Sequence, residues 1–254
     1  RILVHFGSTL AYDSDGAGTW TNYSGTYDPP SGREIASIRS NQNFYFTTDE
    51  GVKKLDALTG SVVDSGGIKA LSGTAALTGS SGFMATAQQR AYRIVWGIKD
   101  ANENLILGAP SQRITIANST GGSRDVDLTF TVPAGVTTSH FYQIYRSGAS
   151  ATAADEANDE LQLVIEKNPT SSEISALSVT VTDNVPDALR GATLYTSPSQ
   201  QGIAASNDAP PLCKDMTTFK GHALYANTET RHRYVVNLIA VGSDDLNYYD
   251  DTGD

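Results

Sequence analysis

The sequence has few of the residues that would support disulfide or membrane chemistry. Cys213 is the only cysteine in 254 residues, so no disulfide can form within the chain. This excludes an extracellular fold held together by disulfides and favours folding in a reducing cytoplasm. No apolar run approaches the roughly 20 residues that a membrane-spanning helix needs. The apolar segment Ile2 to Phe6 is too short for a signal peptide and is followed at once by Gly7 and Ser8.

Three catalytic or nucleotide-binding motifs are also missing. The sequence contains no Gly-x-Ser-x-Gly, no Gly-x-x-x-x-Gly-Lys and no His-Glu-x-x-His. Their absence argues against α/β-type serine hydrolases, P-loop nucleotide hydrolases and zinc proteases of that class. No catalytic, cofactor-binding or metal-binding residue is predicted, and we do not expect an enzyme.

Basic residues are scarce as well: 18 Lys and Arg face 28 Asp and Glu, which gives a net charge of -10. Gripping nucleic acid relies on clustered Lys and Arg, so this balance argues against that function. It is compatible with lining a pore through which DNA slides, because mutual repulsion prevents sticking. The chain begins at Arg1 without a methionine and ends in an Asp-rich stretch, so we expect it to be a piece of a longer protein.

The clearest structural signal is a strand, a turn and a second strand between Ala91 and Gln112. Apolar residues alternate in the first strand and predict one buried face that includes Trp96. Asp100 to Asn104 supplies turn chemistry, because Asn and Asp tolerate left-handed backbone and hydrogen-bond their own main chain. Leu105 to Leu107 then resumes the apolar run. The stretch therefore predicts a β-hairpin.

Further strand patterns follow this hairpin. Phe141 to Arg146 (FYQIYR) is strand-like, and two other segments alternate apolar with polar residues. Their apolar positions are Val126, Leu128, Phe130, Val132, Leu177, Val179 and Val181. Ser147 to Glu160 lacks an apolar stripe and predicts a loop or a short helix. Together these patterns predict a small β-sandwich over residues 91–192.

The segments on either side of the sandwich resemble each other. Thr9 to Tyr23 and Asn43 to Val63 each read as a strand, an acidic turn and a strand, which predicts propeller-like β units over residues 1–66; an ordinary β-meander is the alternative. Residues 67–90 are rich in Gly, Ala, Ser and Thr and predict a linker or surface loop. Residues 193–254 return to the first pattern, with Met216 to Val241 again strand, turn and strand. We therefore expect a sandwich inserted into a larger β-domain, which a chain of this length can accommodate.

Two segments resemble a fibronectin type III module. Asp125 to Gly148 (DVDLTFTVPAGVTTSHFYQIYRSG) resembles its first core hairpin, and Tyr92 to Gln112 (YRIVWGIKDANENLILGAPSQ) resembles its last. Because the last-hairpin motif comes first here, the sandwich would be permuted or atypical. The predicted fold class is accordingly all-β, a partial β-propeller-like domain with an inserted fibronectin type III-like β-sandwich.

The whole series, with Ile203 to Leu212 and Phe219 to Leu238 (FKGHALYANTETRHRYVVNL), resembles tail tubular or nozzle proteins of short-tailed bacteriophages. That resemblance implies a structural protein of the virion tail, made in the host bacterial cytoplasm. It further implies a homo-oligomeric, six-fold ring that forms part of the DNA ejection channel. The implied partners are other tail proteins, such as an adaptor and tail fibres, and passing DNA without specific binding. No cofactor and no membrane span are expected.

Several groups of residues are candidates for metal binding, each with a simpler interpretation. Cys213, His222 and His232 are too widely spaced for a typical zinc site, and a buried cysteine with surface or strand histidines is favoured. Asp13, Asp15 and Gly16 match only the start of a calcium loop, so an Asp-Gly turn is favoured. The last candidates are acidic tail residues, for which a solvated or partner-facing strand is favoured over a cation site: Asp244, Asp245, Asp250, Asp251 and Asp254.

Carbohydrate chemistry gives two alternative functions, an adhesin and, less favoured, a glycoside hydrolase. A hydrolase needs two carboxyl groups roughly 5 Å or 6.5 to 9.5 Å apart, and the available ones are Asp28, Glu34, Asp49 and Glu50. Sugar stacking needs exposed aromatic rings, for which the candidates are Trp20, Tyr23, Tyr27 and Tyr45; a core position is the favoured alternative. Arg231, His232 and Arg233 form a basic group that fits an exposed strand face or a contact with a neighbouring acidic tail. Asn22 and Asn118 match glycosylation acceptors, which have no meaning without a secretory route.

Overall fold

A computed structural model describes residues 2–25, 27, 32–57, 60–200, 207 and 209–229, together with the backbone of two short strands at 240–241 and 245–246. Almost all of the regular structure is antiparallel β, which confirms the predicted all-β class. The chain divides into two compact units, an outer unit of residues 1–65 and 210–254 and an inserted unit of residues 66–209. Within the described residues, no helix is long and apolar enough to span a membrane.

The outer unit contains sheets of three and four strands and two two-stranded pairs, and the strands are numbered along the whole chain. Its strands are β1 Ile2–Phe6, β2 Thr9–Asp13, β3 Thr21–Asn22, β4 Ser37–Ser40, β5 Asn43–Thr47, β6 Val52–Leu55, β7 Val63–Asp64, β16 Leu212–Phe219, β17 His222–Glu229, β18 Ala240–Val241 and β19 Asp245–Leu246. Strands β1 to β3 form one sheet and β4 to β7 another, each in chain order, while β16 pairs with β17 and β18 with β19.

The four-stranded sheet of the outer unit is covered on both faces. On one face Phe46 and Leu55 pack against Leu10 and Tyr12 of the first sheet. On the other face Ile38 and Val52 pack against the β16 and β17 hairpin. Successive strand residues point to opposite faces, so apolar residues on both faces of β5 and β6 bury the sheet from two sides. The three sheets are therefore stacked as layers.

The inserted unit is a β-sandwich with one main core. Its strands are β8 Gly73–Thr78, β9 Gln88–Lys99, β10 Leu105–Leu107, β11 Ile114–Asn118, β12 Asp125–Thr131, β13 Phe141–Ser147, β14 Leu161–Lys167 and β15 Ser178–Asp183, with helix α1 at Ser171–Ser175. One sheet has the order β15, β12, β8. The other has the order β10, β9, β13, β14, and β11 also pairs with β9.

The predicted hairpin and alternating strands are confirmed in this unit. Strands β9 and β10 pair across the turn at Asp100, and the Trp96 side chain is completely buried. The inward positions of β12 and β15 meet those of β9 and β13 in a single core. The buried positions that the alternation had predicted are Val126, Leu128, Phe130, Val132, Val179 and Val181. Residues 148–160 form no helix or strand, which agrees with the loop alternative.

The predicted linker over residues 67–90 is wrong in part, because it contains β8 and the start of β9. Strand β8 has small side chains and lies at a sheet edge, so its sequence gives little apolar periodicity. Gly73 is required by close packing: a Cβ there would lie 2.9 Å from the Phe130 Cβ. Glycine in this segment therefore marks tight contact and not a flexible connection.

Two further details of the predicted sandwich differ. Leu177, expected inside, is 59% exposed: it follows Ala176, the C-cap of helix α1, with a φ of 53°, and it precedes the first residue of β15. The unit also extends beyond residue 192, to Ala209. Leu194 and Tyr195 belong to a second core cluster with Val95 and Leu161, so they are part of the sandwich.

The chain enters and leaves the inserted unit side by side. A Cβ at Gly66 would lie 2.5 Å from the Ala209 Cα, and one at Gly108 would lie 1.8 Å from the Ile68 carbonyl oxygen. The Ala70 N–H also donates to the Ala109 carbonyl at 3.0 Å. Contacts this close admit only glycine. Gly66, Gly67 and Gly108 therefore allow the segments at 66–70, 107–109 and 209 to pack together, and we call this region the base of the inserted unit.

Candidate functional site

A cluster of buried ion pairs lies at one end of the sandwich, and we call it the arginine cluster: Arg90, Arg146, Asp183 and Asp187. Adjacent strands β9 and β13 supply the two arginines, β15 ends at Asp183, and Asp187 begins a short 3-10 helix. Arg146 donates to Asp183 at 2.6 Å and to Asp187 at 3.0 Å, and Arg90 donates to Asp187 at 2.7 Å. Both guanidinium groups are buried, while Asp187 is partly exposed.

Two neighbouring aromatic side chains, Tyr92 and Phe83, contact the arginine cluster. The Tyr92 hydroxyl donates to Asp183 at 2.9 Å, and the Arg146 guanidinium lies 3.7 Å from the centre of the Phe83 ring. Burial, followed by the negative charge of Asp183, raises the pKa of Tyr92 well above its ordinary value. Every carboxylate in the cluster already has a cation, so the arrangement offers internal cohesion and no free acid or base.

A second polar region is a cleft of about 500 Å³ in the outer unit. Arg33 bridges two of its lining segments, donating to Asp49 at 2.9 Å and to the Lys214 carbonyl at 3.0 Å. Lys214 is in turn paired with Glu229 at 2.9 Å. The volume is within the usual range for small-molecule sites. However, the charges neutralise one another and no aromatic residue is among the described lining residues.

The carboxylates considered for glycoside cleavage have different surroundings in the structure. Asp49 is paired with Arg33 and Glu50 with Lys53, each at 2.9 Å, while Glu34 is exposed. Asp28 lies outside the described residues. Glycoside cleavage requires two carboxyl groups placed across a sugar cleft, whereas the ion pairs of Asp49 and Glu50 engage these two carboxylates in contacts within the fold.

The aromatic candidates for sugar stacking are mostly core residues. Tyr23 and Tyr27 are buried in the first core of the outer unit, and Tyr45 packs beside the cluster of Cys213 and Met216. Burial raises the pKa of Tyr27 to about 12. Trp20, which is 44% exposed, is the one candidate of the four with an exposed ring.

The Asp13 candidate is a turn, as the favoured interpretation predicted. Its carboxylate accepts hydrogen bonds from the backbone N–H groups of Asp15, Gly16 and Gly18 at 3.1, 2.8 and 2.8 Å. The bond from Gly18 is the largest cause that lowers the pKa of Asp13; burial opposes it, and the bonds from Gly16 and Asp15 add to it. The carboxylate oxygens are therefore directed at the backbone of the turn.

The remaining metal candidates do not converge within the described region. Cys213 is buried at one end of the β16 and β17 hairpin, opposite Thr228, and His222 is exposed at the other end, opposite Phe219. Burial raises the pKa of the Cys213 thiol, although Arg33 opposes this effect. No group of three His, Cys, Asp or Glu side chains suited to a metal occurs in the part of the chain that the structure describes.

Other predicted positions fall into two groups. Asn118 is fully buried and donates to the Met84 and Gly122 carbonyls, whereas Asn22 is exposed. Asp245 lies in β19, of which only the backbone is described. The last predicted positions lie outside the described residues: Arg231, His232, Arg233, Asp244, Asp250, Asp251 and Asp254.

Sequence reasoning missed the arginine cluster, although one signal was present. Tyr142, Ile144 and Arg146 occupy alternate positions of β13, and all three are buried. A charged residue in register with buried apolar neighbours requires a buried partner. Comparison with protein-family models, with curated proteins and with solved structures finds no match for this chain.

Proposed function

We propose that this chain is a structural component of a bacteriophage tail, in the nozzle or tail tube, and that it acts by assembly and not by catalysis. The observation that carries the proposal is the interrupted architecture. An all-β unit of stacked sheets stops after β7, a complete sandwich follows, and the outer unit resumes at β16. This is the organisation that the resemblance to tail nozzle proteins implies.

The details of both units support this interpretation. The four-stranded meander β4 to β7, with a further sheet on each face, is compatible with a propeller blade packed between neighbours and supports that part of the proposal. In the inserted unit, sheets of three and five strands around one core suit a fibronectin type III-like sandwich. Fold alone does not define function, so the proposal is tested by assembly.

In this function the chain forms a homo-oligomeric ring, six-fold by resemblance, that contributes to the DNA ejection channel in the virion. Its partners are other tail proteins, such as an adaptor and tail fibres. A net charge of -10 suits a channel through which DNA passes without binding. The internal pairing of the arginine cluster and of the cleft also suits a protein whose charges stabilise its own fold.

A carbohydrate-binding tail protein is the second candidate function, favoured by the exposed Trp20 ring. Aromatic rings of this kind stack on sugars; the polar cleft around Arg33 is a separate feature, since Trp20 is not among its lining residues. A glycoside hydrolase has less support, since Asp49 and Glu50 are each paired with a cation.

The deciding experiment measures the mass of the full-length protein by light scattering, alone and with purified tail partners, followed by electron microscopy of any assembly. A closed ring supports the structural function. A protein that stays monomeric with its partners contradicts it. Glycan binding that is lost in Trp20→Ala but retained in Leu189→Ala, a second exposed apolar residue, would establish the carbohydrate function instead.

A further inference from the structure

Strand β15 has one edge to which no described residue forms a hydrogen bond. Among the described strands it pairs only with β12 and is the last strand of its sheet. The Val132 N–H donates to the Leu177 carbonyl, which fixes the alternation: odd-numbered residues of β15 bond to β12. The N–H and C=O groups of Ser178, Thr180 and Thr182 therefore point away from β12. No described residue hydrogen-bonds to these backbone groups.

One other outer edge of the sandwich, that of β14, is shielded by backbone hydrogen bonds. The edge of β14 is covered by residues 191–194, through backbone bonds of 2.9 and 2.8 Å between Leu163 and residues Ala192 and Gly191, and by one from Leu194 to Leu161 at 2.8 Å. Strand β8 runs beside β11, where Gly73 lies against the Ile114 side chain. Proteins normally protect exposed edges with charges, prolines or bulges. Strand β15 has a regular pairing register and, before Asp183, no charge and no proline.

The charge pattern indicates what occupies this edge. Two copies of a protein with net charge -10 repel each other over most of their surface. Ser178 to Thr182 is neutral, and the charge of Asp183 is compensated by Arg146 at 2.6 Å. A second copy can therefore approach this neutral edge without the repulsion that acts over the rest of the surface, and its own outward N–H and C=O groups match those of β15.

We propose that β15 pairs antiparallel with β15 of a second copy of this chain, joining two three-stranded sheets into one sheet of six strands. Thr180 then lies opposite the partner's Thr180, and Ser178 lies opposite the partner's Thr182. This register satisfies all the outward N–H and C=O groups of the three residues in both copies. The proposal is independent of the proposed function, because it concerns only the inserted unit.

The geometry gives a crosslinking test in the full chain. Directly opposed, hydrogen-bonded residues have Cα atoms about 5.5 Å apart, within the range of a disulfide. Thr180→Cys is therefore expected to give a covalent dimer under mild oxidation. Thr129→Cys is the matched control: Thr129 is exposed, faces the same side and contacts Thr180 at 3.0 Å. Its two copies would lie about three strand spacings apart, roughly 14 Å, and should not crosslink.

A second variant tests the contact without oxidation. Thr180→Lys places two like charges opposite each other and should weaken dimerisation by about tenfold or more, since like charges directly opposed destabilise strand pairs. Thr129→Lys should leave it nearly unchanged. Sedimentation over a concentration series measures both.

Equal crosslinking of Thr180→Cys and Thr129→Cys, or a wild-type protein that is monomeric throughout, overturns the proposal. Crosslinking by Thr74→Cys, on the opposite edge, also overturns it. A ring without these crosslinks would leave the proposed function intact.

Discussion

Arg146 donates a hydrogen bond to Asp183 across 2.6 Å, and both side chains are fully buried. The two residues belong to opposite sheets, so their ion pair connects the two layers of the sandwich. A cation buried on the apolar face of β13 is tolerated only because an anion lies at the end of β15. Both residues can therefore be buried at this end of the core only when they are paired with each other.

Replacing Arg146 by methionine is expected to destabilise the inserted unit by about 3 to 5 kcal/mol, because it leaves the Asp183 carboxylate buried without its closest cation. The free energy of unfolding in urea measures this effect. Lys99→Met is the control, since the ion pair between Lys99 and Glu103 is largely exposed and should contribute about 0.5 kcal/mol or less. Similar losses in the two variants would contradict the structural role of Arg146.

Asp187 should make stability fall in acid. Burial raises the pKa of Asp187, but the hydrogen bond from Arg90 and the charges of Arg90, Arg146 and Arg190 outweigh burial, so its pKa is lowered. A lowered folded-state pKa stabilises the fold above the unfolded value of about 3.9, and this contribution is lost as the pH falls through the folded value. We expect Asp187→Asn to flatten the decline in unfolding free energy below about pH 4.

The matched control for the acid experiment is Glu103→Gln, which removes an exposed carboxylate. It should leave the decline almost unchanged. An acid dependence that is identical in wild type and Asp187→Asn would mean that other carboxylates, such as Asp13 with its lowered pKa, account for it.

The sequence predicted those parts of the fold that depend on local pattern. Period-two alternation located Val126, Leu128 and Phe130 in the core, and the Asp100 turn located the hairpin. Strand β8 was missed because its apolar residues are few and small, and its place depends on pairing with β12. Tertiary pairing determines such an edge strand, and no window of its own sequence records that pairing.

The charged sites were harder to predict, because they join residues that are distant in sequence. Arg90 and Asp187 are 97 positions apart, and Arg33 and Lys214 are 181 apart. Local spacing carries no information on such contacts. By contrast, the Asp13 turn uses donors within five residues and was predicted correctly.

Two buried tyrosines provide a matched pair of substitutions. The Tyr92 hydroxyl donates to Asp183 at 2.9 Å, whereas the Tyr27 hydroxyl has no partner among the described residues. Tyr92→Phe should cost about 1.5 to 3 kcal/mol, since it removes a hydrogen bond to a charged group. Tyr27→Phe should be neutral or slightly stabilising, because it removes a buried polar group without a bond. Urea unfolding compares them, and a larger loss at Tyr27 would contradict the contacts described.

Gly108 tests the base of the inserted unit. A Cβ at this position would lie 1.8 Å from the Ile68 carbonyl oxygen, and this atom belongs to the backbone and cannot rotate away. The Gly108 N–H also donates to the Trp96 backbone carbonyl at 2.8 Å, so a shift of the chain would disturb β9. Gly108→Ala is therefore expected to destabilise the inserted unit by about 1 to 3 kcal/mol or more.

The two tryptophans allow this effect to be assigned to one unit. Trp20 lies in the outer unit and Trp96 in the inserted unit. In a Trp20→Phe background, fluorescence follows the core around Trp96 alone.

Gly121→Ala is the control, because a Cβ there meets no atom within 4 Å and the φ of Gly121 is not in the left-handed region. An unfolding midpoint that shifts to a lower urea concentration in Gly108→Ala but not in Gly121→Ala supports the close contact between Gly108 and Ile68, because only the first substitution places a Cβ against that backbone. Equal midpoints would show that the segments around Ile68 and Gly108 can separate at little cost, and that Gly108 is not required there for steric reasons.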